Sequence, residues 1–130
     1  MCWDVQFSPP AWNEVASRKH RRTGGRCLRL WERSIIAAQT GDADEPAVYD
    51  PRLTADAIRD MEMECVSGLG IELPRTIPHV RRFYRVFDWI VGASDGKKTD
   101  CIFVQYNSDG AVHGYPATRE YLRGKGANDL

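Results

Sequence analysis

The sequence predicts an α+β domain in which N-terminal helices pack on a small C-terminal antiparallel sheet. Three observations predict it. Before Gly70, apolar residues recur at the three- and four-residue spacing of a helix face. After Val80 the chain turns to aromatic and β-branched runs. Those runs are divided by Ser94-Asp95-Gly96 and Asn107-Ser108-Asp109-Gly110, which are turn sequences.

Ser8-Pro9-Pro10 reads as a helix start, because serine caps and proline is tolerated in a first turn. Trp12, Val15 and Ala16 would share its face, which Lys19 could extend, and Gly24-Gly25 would end it. A second helix carries Leu28, Trp31, Ile35 and Ala38 on one side, with Gly41 at its C-cap. The acidic stretch from Asp42 to Asp50, which contains Pro46, suits an exposed loop. A third helix begins at Asp50-Pro51 or at Thr54. Ile58, Met61 and Cys65 form its stripe, and Gly68 and Gly70 stop it.

Leu73-Pro74 to Ile77-Pro78 is an extended connector, because a residue before proline avoids the helical region. From Val80 to Val91, the polar positions Arg81, Arg82, Arg85 and Asp88 fall on one helical face. The composition from Phe83 to Val91 is that of a buried strand, and a strand is expected. Asp100 to Tyr106 is a second strand and Ala111 to Tyr115 a third, followed by a short helix over Thr118 to Arg123. Trp12, Trp31, Ile35, Ile58 and Met61 should pack on one face of this sheet.

The chain has 130 residues, the size of one domain, so residues 1–130 are read as a single unit. Its 42% hydrophobic and 10% aromatic content supplies a core without help from a metal or disulfide. Eighteen basic and eighteen acidic residues cancel, which argues against a surface that attracts nucleic acid everywhere. The charge is segregated, however: residues 14–33 are strongly basic and residues 42–64 acidic. Such segments neutralise each other or form two faces of opposite sign.

Cys2, Cys27, Cys65 and Cys101 have no paired-ligand spacing, so neither a zinc site nor a redox dithiol is expected. All four should be free thiols in a reducing cytoplasm. Asp4 and two prolines interrupt what a signal peptide would need, and no run approaches the ~20 apolar residues of a membrane span.

No phosphate loop, dinucleotide fingerprint, metalloprotease helix or nucleophile elbow is present, and no cofactor is expected. The chemistry then falls to the histidines. His20 lies in Arg18-Lys19-His20-Arg21-Arg22. Cations there lower an imidazole's pKa and can hold a phosphate, so His20 could take a proton from a ribose 2′-hydroxyl. The same run is also what a solvated helix end looks like.

His113 lies in Val112-His113-Gly114-Tyr115, where alternation puts His113 and Tyr115 on one face. An open face would offer an imidazole beside a phenol that stacks a base. A half-buried, hydrogen-bonded pair fits the same pattern. His79 reads as a loop residue. Arg82 and Arg85 could present charge to a bound phosphate.

The last fifty or so residues resemble the C-terminal sheet of bacterial ribonuclease toxins, most of all the colicin D-like group that cleaves transfer RNA. The pattern is Tyr84-Arg85, a turn glycine, a β run, Asp109-Gly110, then Val112-His113-Gly114-Tyr115 and a tail ending in glycine and leucine. Colicin D-like domains have Ser-Gly-Trp where His113-Gly114-Tyr115 stands. They carry a lysine-histidine pair ahead of their helices, which Lys19-His20 matches. The resemblance implies a metal-independent ribonuclease acting on RNA, transfer RNA above all. In it a histidine is the general base and lysine holds phosphate. His20, His113 and Lys19 would be catalytic, and Arg82, Arg85 and Tyr115 would bind substrate.

A different class fits the composition as well. A small neutral domain with a segregated acidic segment suits an immunity-like, antitoxin-like or host-takeover inhibitor. Such a protein would use residues 42–64 against a basic cognate partner.

Overall fold

In the computed structural model, described for residues 5–20, 32–33 and 47–130 and for Lys19 by its backbone alone, helices and strands are interleaved. Strand β1 (Ala11–Trp12) leads into helix α1 (Glu14–Ser17) and a 3-10 turn (Arg18–His20). Glu32 and Arg33 are helical; the rest of the second expected helix, with Leu28, Trp31, Ile35 and Ala38, lies outside the described residues. Strand β2 (Val48–Tyr49), helix α2 (Ala55–Glu64) and strand β3 (Ile71–Glu72) follow. The C-terminal half holds β4 (Val80–Val86), β5 (Gly92–Ser94), β6 (Lys97–Thr99), β7 (Cys101–Asn107), β8 (Ala111–Pro116) and helix α3 (Arg119–Gly124).

The strands form two sheets, one ordered β1-β8-β7-β4-β3 and one ordered β2-β5-β6. The mixture of helix and strand is the expected one, but the segregation is not: β1 and β2 come from the N-terminal half, and β1 runs parallel to β8.

Three elements depart from the sequence reading for identifiable reasons. Ser8-Pro9-Pro10 starts no helix. Ser8 donates its N–H to Ser108, Ala11 to Gly110 and Asn13 to Val112, so this segment adds a strand beside β8. Proline lacks an N–H and is tolerated on such an edge. The helix begins only at Asn13, whose side chain caps Ala16.

The strand expected from Val80 to Val91 stops at Val86, because its partner β7 begins at Cys101, directly opposite. Phe87 makes one last bond to Asp100, and the chain bends through Trp89 into β5 and the second sheet. The β5–β6 hairpin turns at Asp95 and Gly96, both at positive φ, the two-residue turn that suits strand twist.

The third departure is Val48–Tyr49, expected within an exposed loop but buried as a strand beside β5, where Tyr49 joins the core; around α2 the local signals hold. Thr54 caps α2 by accepting from Ala57, and the chain unwinds at Gly68. Ile58, Met61 and Cys65 pack under the main sheet against Phe83, Ile102, Val104 and Val112. Both faces of β7 are covered along most of its length, since Cys101, Phe103 and Leu122 join a second core beneath α3. Burial also pushes the Cys65 thiol up to about 12, and the Cys101 thiol likewise to about 12. Both are free and inert as nucleophiles, while Cys2 and Cys27 lie outside the described residues.

Gly114 is where β8 passes closest to β7. A Cβ there would stand 2.4 Å from the Phe103 carbonyl oxygen and 2.9 Å from Val104. The strands would have to part, so Gly114→Ala should cost about 1–3 kcal/mol, the usual range for overpacking. Urea unfolding checks this; an unchanged midpoint would show that the ladder relaxes freely.

Candidate functional site

Register sets the site. Arg82 lies opposite Gln105, and Gln105 opposite His113, so these three form one polar row across β4, β7 and β8. The next row on the same face is Tyr84, Phe103 and Tyr115. Helix α3 covers the aromatic row through Leu122, whereas Gln105 and His113 in the polar row stay only half-buried. Between the two lies a pocket of about 190 Å³ bordered by Arg82, Gln105, Phe103, Tyr115, Tyr121 and Lys125.

The basic N-terminal turn reaches this face. The His20 ring lies 5.2 Å from that of Tyr115, which lies 5.3 Å from Phe103. His20 is only 7% exposed. Its Nδ1 is 2.7 Å from the Ala47 carbonyl oxygen. A carbonyl only accepts, so Nδ1 carries a proton and donates it to Ala47. The ring's Nε2 is shielded from solvent, as is Nδ1 of His113. Any proton that His113 exchanges with a ligand must therefore pass through its Nε2.

The Tyr115 and Tyr121 hydroxyls are 2.7 Å apart at the pocket rim. Burial, and then the bond to Tyr121, hold the Tyr115 phenol well above its ordinary range. One hydroxyl donates to the other, so the second proton of the pair can face outward. Arg82 donates to the Pro74 carbonyl at 2.7 Å, which holds its guanidinium over the connector side of the pocket. Lys125 Nζ sits 5.3 Å above the Tyr121 ring.

The structure thus brings His20, His113, Tyr115 and Arg82 to one face, and Arg85 to the other. Three positions separate Arg82 from Arg85, an odd number, and strand alternation inverts across it. Arg85 pairs instead with Glu64 at 3.3 Å and covers the Phe87 ring. The Lys19 side chain lies outside the described residues. His79 stands apart, beside Ser108 at the hairpin turn.

Gln105, Tyr121 and Lys125 were not singled out by their residue types, although Gln105 is the lone polar residue within the apolar run of β7. Among the described residues, no group of three histidine, cysteine or acidic side chains is placed to hold a metal. No described helix is long and apolar enough to cross a membrane.

Over its described part the acidic segment is divided: Asp56, Asp60 and Glu64 are exposed on α2, whereas Asp50 and Glu62 are buried. Glu62 is 0% exposed, within the core. Asp50 is buried against Arg52, whose hydrogen bond holds its carboxyl below the usual range. Glu64 is turned to Arg85, and Asp56 and Asp60 flank Arg59.

No protein-family model, no curated protein and no solved structure matches this chain.

Proposed function

We propose that the face bearing Arg82, Gln105, His113 and Tyr115 binds and cleaves RNA without a metal ion, as the colicin D-like resemblance implies. The observation that carries this reading is the row of Arg82, Gln105 and His113 beside the row of Phe103 and Tyr115 on one face, with His20 against the Tyr115 ring and Lys125 bordering the same pocket.

In this reading His113 Nε2 takes the ribose 2′-hydroxyl proton. The 2′-oxygen attacks phosphorus and the bond to the 5′-oxygen breaks, leaving a cyclic phosphate on one fragment. Lys125 returns a proton to the departing 5′-oxygen, and Arg82 neutralises the phosphate as charge accumulates. His20, held by Ala47 and covered by Tyr115, braces the aromatic wall and meets no substrate. That differs from the base role the resemblance gives it. The inhibitor class would have Asp56, Asp60 and Glu64 on the surface of α2 but not Asp50 or Glu62, which are buried.

Binding separates the two sheet faces. In fluorescence anisotropy titrations with a labelled RNA, Arg82→Gln should weaken affinity and flatten the dependence of log Kd on log salt by about 1. Arg85→Gln, on the far face, should leave both unchanged. Equal losses from the two variants, or no binding by the unmodified protein, would refute the reading. Expression of the chain in bacteria should also halt growth, whereas an inhibitor would be harmless.

A further inference from the structure

The pocket beside His113 has a hydrogen-bonding pattern of its own. Its floor sets the Arg82 guanidinium, which can only donate, next to the Gln105 amide, whose carbonyl accepts. Adjacent strands lie ~4.8 Å apart, so the two side chains rise side by side from neighbouring positions. Phe103, Tyr115 and Tyr121 wall the pocket on the aromatic side. At about 190 Å³ the pocket is smaller than the ~300 Å³ at which drug-sized sites begin. One flat ring suits it; a whole folded ligand does not.

We infer that this pocket is a base subsite for keto bases, guanine or uracil. Both present a carbonyl oxygen next to a ring N–H. Arg82 would donate to the oxygen and Gln105 would accept from the N–H. Adenine and cytosine held in the same ring orientation would put an amino group where the carbonyl stands, setting a donor against Arg82. Lys125 and the outward hydroxyl of the tyrosine pair stand where the attached phosphate would leave the pocket. The inference rests on the RNA reading above and adds to it the class of base that is recognised.

The test titrates the full chain with GMP, UMP, AMP and CMP, following the side-chain amide resonance of Gln105. GMP and UMP should each bind at least ~10-fold more tightly than AMP and CMP, the discrimination that one good side-chain pair supplies. Comparison of GMP with UMP tells which keto base fits better. Gln105→Leu, at a half-buried position and followed through the backbone amides of β7, should erase the preference among the four nucleotides. Equal binding of all four nucleotides, or a preference for AMP or CMP, would overturn the base subsite. So would RNA binding with none of the four nucleotides bound. Failure of RNA itself to bind would instead strike the proposed function, so the two failures are distinguishable.

Discussion

Replacement of Glu62 by leucine is expected to destabilise the fold by about 3 kcal/mol or more. Glu62 enters the core because it lies four residues after Ile58 and one after Met61, inside the apolar stripe of α2. Its Oε1 accepts from the Trp12 indole at 2.9 Å and from the Gly114 backbone at 2.8 Å. Its Oε2 accepts from the Tyr49 hydroxyl at 2.6 Å. One carboxylate thereby ties α2 to β1, to β2 and to the middle of β8.

Leucine would fill the space but leave three donors unmet, each costing about 1–3 kcal/mol when buried. Glu62→Gln keeps one acceptor oxygen and the shape, and should cost roughly half as much. Urea unfolding followed by tryptophan fluorescence gives both values. A leucine variant as stable as the unmodified protein would mean that the polar core is dispensable, as some buried charges are.

His113→Ala should slow single-turnover cleavage of a short RNA by ~10²–10⁴-fold, the usual worth of one general base, with little change in folding. His20→Ala should do the reverse. It opens a space beside Tyr115 and removes the bond to Ala47, so stability should fall by about 1–2 kcal/mol. The cleavage rate, measured where both variants are folded, should fall by no more than about tenfold. Equal rate losses would return His20 to the chemistry, as the resemblance alone would have it.

Much of the fold was legible wherever local chemistry and tertiary demand agree. Asn107 to Gly110 makes a hairpin because Gly110, at φ 98, occupies the left-handed position that such loops require. The α2 stripe and its Thr54 cap follow directly from helical spacing.

The errors come from long-range competition. Ser8-Pro9-Pro10 has the letters of a helix start, but the free edge of β8 captures it as a strand. Phe87 to Val91 has the composition of a strand core, but no partner strand extends that far.

The site was legible in part for the same reason. Alternation placed His113 beside Tyr115, and the strand interpretation itself should have split Arg82 from Arg85. Nothing local reveals that His20 would meet Tyr115, because the contact depends on how the N-terminal turn lies over β8. Glu62 was hidden among acidic neighbours that face solvent, although its spacing from Ile58 marked it as inward.

The most direct measurement incubates the purified protein with total transfer RNA in excess chelator and analyses the new RNA ends. Fragments ending in a cyclic phosphate should accumulate with the unmodified protein and be absent with His113→Ala. RNA left intact at high protein concentration, from a protein that is also harmless when expressed, would contradict the assignment of this face to RNA cleavage.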